Sequence, residues 1–142
     1  MRYPILILVI LGVLVSVMAL RVHYSTETEP CSINERWDCE VVNHSSYAEL
    51  MHVPVAAIGI AGYLALGALS LARRRFSLFL ATLLGFEFAL RLSFIEEYAL
   101  HVWCLYCVLS QIIISLITLL ALAWLMAEFT ALKRAQARNV GP

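Results

Sequence analysis

Trp103-Cys104-Leu105-Tyr106-Cys107-Val108-Leu109-Ser110 places a C-x-x-C pair at the mouth of the last long apolar run. That run continues from Leu109 to Ala127, interrupted only by Ser110, Gln111, Ser115 and Thr118. An apolar stretch of roughly 20 residues is the length of a membrane-crossing helix. The two cysteines therefore fall in the first turn or two of a transmembrane helix, close to a membrane surface. Three positions apart on a helix, they share a face, and their sulfurs can approach closely enough to bond. The positive end of the helix dipole stabilises a thiolate and lowers its pKa. Spelling and placement together read as a redox site.

Composition gives the same class. Of 142 residues, 62% are hydrophobic and 14% charged, against about 25% charged in soluble domains. This is an all-α integral membrane protein, a single membrane domain over 1–142. The formal net charge is zero, so nothing in the electrostatics favours nucleic acid as a partner. The lipid bilayer is the partner that composition demands.

Four spans are expected, at about 4–20, 54–72, 77–95 and 103–127. The first resembles a signal peptide in its Arg2 start and its Val17-Met18-Ala19 end. Its apolar run exceeds the ~7–15 residues of a signal core, which favours a retained span. An external loop over 21–53 follows. It carries the acids Glu27, Glu29, Glu35, Asp38, Glu40 and Glu49, and the cysteines Cys31 and Cys39. Within it, a short surface helix over Ser45–Met51 is expected, capped by a serine hydroxyl. Pro54 suits the first turn of the second span. Gly59, Gly62 and Gly67 permit close helix approach, and Arg73-Arg74-Arg75 ends that span.

Charge assigns the sides. Arg2, Arg73, Arg74, Arg75, Lys133, Arg134 and Arg138 all fall on one side of a four-span topology, and the positive-inside rule makes that side cytoplasmic. Both termini are then cytoplasmic. All four cysteines face outward, which in the inner (cell) membrane of a bacterium means the periplasm, where disulfides persist.

Two cysteine pairs at one membrane face suggest an electron relay. Thiol–disulfide exchange needs an attacking thiolate, an accessible disulfide and a leaving thiol. A loop carrying Cys31 and Cys39 can meet a soluble protein and then the helix pair. The helix pair can meet a lipid-soluble two-electron oxidant such as a quinone. Two other readings compete. Structural disulfides would make the chain a non-enzymatic membrane scaffold, but a C-x-x-C bridge closes too short a loop to constrain much. A zinc site would use the same residue type, but the seven-residue gap in the loop pair does not match zinc spacing, so no metal is expected.

The residues resemble the bacterial vitamin K epoxide reductase family over nearly the whole chain. Cys31-x7-Cys39, Ser45-Ser46-Tyr47-Ala48, Val53-Pro54-Val55 and Gly59-x-x-Gly62-Tyr63 look like its loop and second span. Leu100-His101-Val102-Trp103 followed by the C-x-x-C looks like the entry to its active-site helix. The resemblance implies a four-helix bundle holding a quinone, ubiquinone or menaquinone, near the second cysteine of the C-x-x-C. It implies oxidation of a soluble periplasmic thioredoxin-like protein for disulfide bond formation. Many members carry that domain fused, and this sequence contains none, so the partner is expected to be a separate protein. The disulfide bond formation protein B family does similar work, but with its C-x-x-C in the first external loop, the reverse of the order here. Within the resemblance, Cys39 attacks Cys104 while Cys31 faces the partner. Cys104 is expected nearer the loop and the water, and Cys107 one turn deeper, delivering electrons to quinone. Whether Cys31–Cys39 or Cys39–Cys104 is the resting bond stays open.

Further polar residues bear on the site. Ser45 stands where the family has a hydroxyl linked to the redox centre, and it is a candidate to hydrogen-bond the quinone. Gln111 stands where vertebrate relatives have a tyrosine, a departure that weighs against vitamin K epoxide itself as substrate. Glu87 and Arg91 form an i,i+4 pair, expected to face the bundle as a structural ion pair. His101, Glu96 and Glu97 lie near the outer surface, as candidates to deliver the protons that quinone reduction needs. Trp37 and Trp103 are expected at the interface, where membrane tryptophans concentrate.

Overall fold

The computed structural model describes residues 1–27 and 30–140; Glu29, one of the loop acids, lies outside them. Helix α1 (Arg2–Tyr24) buries Ile5, Val9, Gly12, Ser16, Ala19 and Val22. Steps of three and four residues put these on one face. Its other face is also apolar, with Ile7, Ile10, Leu14 and Met18 exposed. A helix apolar all round belongs in a membrane rather than on a soluble core.

Among the described residues, three helical stretches are long and apolar enough to cross a membrane: Arg2–Tyr24, Arg75–Leu100 and Leu105–Asn139. Helix α3 (Val55–Leu71) is equally apolar but has 17 residues, about 25 Å of rise against a hydrocarbon core of ~30 Å. Helix α4 (Arg75–Ile95) passes into one π turn, Glu96–Leu100, and α5 covers Leu105–Val140. α5 thus runs well past residue 127, the expected end of that apolar run.

The bundle packs α1 against α3 and α5, and α4 against α5, while α3 and α4 touch more sparsely. The core joins Ile5 and Val9 to Tyr63 and Leu66, Leu78, and Ile113, Ile117 and Ala121. Gly12 permits the α1–α3 approach: a Cβ there would collide with the Tyr63 ring. Gly59 and Gly67 lie against Ser16 and Val9, but Gly62 faces open space, so it widens a cavity rather than tightening a contact.

Two local expectations are corrected. The segment after Ser45 is a single 3-10 turn (Ser46–Ala48) followed by a hairpin of β1 (Glu49–Leu50) and β2 (Val53–Pro54). Met51 and His52 turn the hairpin with φ of 53° and 67°, the left-handed pair that a two-residue hairpin needs. Val53, which precedes Pro54, is driven out of the α region, and its pairing with Leu50 draws Glu49 and Leu50 out of a helix and into the hairpin. Glu87 and Arg91 do pair, at 3.0 Å, but their side chains are 60% and 75% exposed. The buried stripe of α4 passes through Leu78 and Thr82, and Glu87 lies about 140° further round the helix, facing away from the bundle. The same stripe reaches Glu96 at the end of the element.

At the other end of the molecule, Arg75 bonds Glu128 at 2.9 Å and covers the Trp124 ring. From Leu105 to Glu128, α5 rises about 35 Å. The C-x-x-C and the arginine corner are therefore separated by roughly the thickness of a bilayer core.

Candidate functional site

The cysteine loop is built around a five-residue helix, α2 (Cys39–Asn43). Asp38 caps it: Oδ1 accepts the amide hydrogens of Glu40 (2.9 Å) and Val41 (3.3 Å) and the Ser32 hydroxyl (2.7 Å). The Ser32 hydrogen bond, followed by the two amides, holds the Asp38 carboxyl below its ordinary range despite some desolvation. Cys31 and Cys39 are joined in a disulfide with Cα atoms 5.8 Å apart. α2 is tied to the end of α1 by two imidazoles. His23 Nδ1–H donates to the Asn43 carbonyl at 2.6 Å, and His44 Nε2–H donates to the His23 carbonyl at 3.1 Å.

Backbone pairing docks this loop onto the entry to α5. The Trp103 amide donates to the Arg36 carbonyl (2.8 Å), and the Asp38 amide donates to the Trp103 carbonyl (3.0 Å). The indoles of Trp37 and Trp103 lie 6.4 Å apart. Trp103 Nε1–H donates to Glu97 Oε2 at 2.8 Å, and Arg36 sits 3.7 Å from the same oxygen. The two tryptophans hold the loop against the helix mouth, a role beyond interfacial anchoring.

Docking buries Cys104 completely, in one cluster with Cys31, Cys39, Val22 and Val42. The Asn43 amide group bridges the pairs, donating to the Cys39 carbonyl at 2.8 Å and to Cys104 Sγ at 3.6 Å. Cys104 and Cys107 are free thiols. Cys107, about one helical turn further on, packs against the edge of the same cluster. The expectation that Cys104 lies nearer the water is thus corrected. It is the thiol nearer the loop, and the loop itself covers it. Cys107 is partly exposed, and the space it faces is a cavity.

That cavity, of about 420 Å³, is lined chiefly by apolar side chains, within the 300–1,000 Å³ range of small-molecule sites. It lies between α3 and α4, which touch only sparsely, with Gly62 of α3 and Phe88 of α4 on its wall and Cys107, Ser110 and Glu96 toward the cysteine end. Ser45 is on the wall, its hydroxyl donating to the Val42 carbonyl at 2.7 Å rather than capping the following turn. Its oxygen keeps acceptor capacity. Tyr63, also on the wall, joins α3 to α5 by bonding the Ser110 carbonyl (3.0 Å) and hydroxyl (2.8 Å).

Of the three proton candidates, one reaches the site. His101 is exposed, with φ of 56°, and Glu97 is held by Trp103 and Arg36. Glu96 is 2% exposed, and its Oε2 accepts the Cys104 amide hydrogen at 3.1 Å. The residues that sequence reasoning missed are Asn43 and Tyr63. Asn43 lies one helical turn after Cys39, a spacing visible in the sequence once α2 is known to be helical. Tyr63 stood in a quoted motif without a partner to give it meaning.

Residues 3–124 match the model of the Vitamin K epoxide reductase family, a stretch that includes all four cysteines and every cavity residue named above. A comparison with curated proteins returned no match.

Proposed function

The chain belongs to the vitamin K epoxide reductase family, membrane thiol–disulfide oxidoreductases linked to quinone, and from that premise we propose that it is a quinone-dependent thiol oxidase serving disulfide bond formation. The observation that carries this reading is a sequence of adjacency. The loop disulfide abuts buried Cys104, to which Asn43 donates a hydrogen bond, and Cys107, about one helical turn on, packs against that cluster and opens on an apolar cavity large enough for a quinone ring.

A reduced thioredoxin-like partner attacks Cys31 and leaves with a disulfide, and the loop pair becomes a dithiol. Cys39 then attacks a Cys104–Cys107 disulfide at Cys104, with Cys107 as leaving thiol. Cys31 resolves the Cys39–Cys104 bond, which regenerates the loop disulfide and leaves Cys104 and Cys107 reduced. Those two thiols close again as quinone takes up two electrons and two protons. Ser45 offers an oxygen on the cavity wall to orient the head group. Quinone, as ubiquinone or menaquinone, enters sideways from the bilayer between α3 and α4.

In this reading α1, α3, α4 and α5 all cross the membrane, α3 as a short span. The basic end at Arg73–Arg75 lies in the cytoplasm with both termini, and the cysteine loop lies in the periplasm of a bacterial cell membrane. The test is turnover in detergent or nanodiscs with a reduced thioredoxin-like protein as electron donor and a soluble quinone as acceptor. Quinol should form with one donor disulfide per quinol. A membrane scaffold with structural disulfides would form none.

A further inference from the structure

Beside Cys107 lies a carboxyl that the electron relay alone does not require. Glu96 is 2% exposed. One of its oxygens, Oε2, accepts the Cys104 amide hydrogen at 3.1 Å. The other, Oε1, is buried with no hydrogen-bond partner among the described residues. The side chain lines the cavity that Cys107 also lines. A buried polar atom left unpaired is costly, so a group kept this way calls for a reason.

The backbone is bent to bring it there. α4 ends in a π turn, Glu96–Leu100, and His101 closes it in the left-handed region. The amides of His101 and Val102 both converge on the Glu96 carbonyl. π turns and left-handed non-glycine residues concentrate at functional sites. The titratable groups on the cavity wall beside Glu96 are the Cys107 thiol and the phenols of Tyr47, Tyr63 and Tyr106, with the buried Cys104 thiol behind them. Glu96 is the one carboxyl among the described lining residues.

We infer that Glu96 is the proton carrier between the Cys104–Cys107 dithiol and the quinone, its Oε2 fixed by the Cys104 amide and its Oε1 free to exchange a proton at the cavity. This rests on the reading that quinone is reduced at this cavity. In balance, the two thiols lose two electrons and two protons and form one S–S bond, and the quinone becomes the quinol. Glu96 takes the proton as the Cys107 S–H bond breaks and releases it as the quinol O–H bond forms. A second pass carries the Cys104 proton, so the carboxyl ends in its starting state.

Glu96→Gln separates this role from a structural one, because the amide keeps an oxygen for the Cys104 N–H but cannot relay a proton. The experiment mixes fully reduced protein with a soluble quinone and follows quinol formation in a single turnover across pH. A second measurement follows oxidation of a reduced thioredoxin-like donor by the oxidised protein without quinone. Donor oxidation should stay within about twofold of wild type, while quinol formation falls about 10²-fold or more, the range of a lost general acid–base group. The wild-type pH profile should lose one ionisation in Glu96→Gln and regain it, displaced, in Glu96→Asp. His101→Asn, which removes the exposed candidate, should leave both rates unchanged. If Glu96→Gln reduces quinone at the wild-type rate with the wild-type profile, the assignment is overturned. If Glu96→Gln fails to fold, Glu96→Asp decides alone: an unshifted profile overturns the assignment. If wild-type protein reduces no quinone, the parent reading fails first, and visibly so.

Discussion

Residue by residue, the two helix thiols are not equivalent. Cys104 is sealed under the loop, while Cys107 is partly exposed and opens on the cavity. A small membrane-permeant alkylating reagent should therefore label Cys107 of the reduced protein well before Cys104. In Cys107→Ala, Cys104 can attack the loop disulfide at Cys39 and release Cys31. Alkylating the released Cys31 should trap the Cys39–Cys104 disulfide, since Cys31 is the thiol that resolves it. Non-reducing peptide maps decide this, and a Cys31–Cys104 link would interchange the roles of the loop cysteines. The cysteines and their pairing by spacing were legible in the sequence, since C-x-x-C before an apolar run needs no tertiary knowledge. Glu96 was not separable from Glu97 and His101. Their sorting depends on a π turn and on one left-handed residue, and neither leaves a signature in side-chain chemistry.

At the scale of elements, glycine and tyrosine fix how α1 and α3 meet. Tyr63 is held by Ser110 on one side and presses on Gly12 on the other, so the ring has little freedom to yield. Gly12→Ala should destabilise the bundle by ~1–3 kcal/mol through overpacking, read as a lowered midpoint in thermal unfolding in detergent. Adding Tyr63→Ala should recover part of the loss from Gly12→Ala, a coupling that neighbouring residues show and distant ones do not. A stabilising or neutral Gly12→Ala would mean that the two helices are not in contact at this point. The apolar runs marked the helices well because membrane helices are apolar all round and need no partner to be recognised. The loop was harder to read. Its order comes from pairing of Arg36 and Asp38 with Trp103, contacts between segments more than sixty residues apart that local pattern cannot register. The hairpin at Glu49–Pro54 was missed for a related reason, since Met51 and His52 are unusual residues for a left-handed turn.

At the scale of the whole molecule, chemistry is concentrated at one end and basic charge at the other. The loop disulfide, Cys104, Cys107 and the cavity follow one another inward from the docked loop, while Arg75 and Glu128 close the opposite end. Charge bias along the sequence implied this polarity, because all the clustered arginines and lysines fall on alternate connections. The cavity was not legible, because it arises from what α3 and α4 fail to fill, including the missing side chain at Gly62. In the proposed relay its position puts Cys107, rather than Cys104, in reach of a quinone, so electrons would leave the protein there. The direct test reduces all four cysteines, removes the reductant, and adds excess soluble quinone while counting quinol and remaining thiols. Wild-type protein should yield two quinols and no free thiol, the stoichiometry of two dithiols oxidised through one exit, and Cys107→Ala should yield none. Quinol formation by Cys107→Ala at the wild-type rate, or its absence in the wild-type protein, would contradict the account.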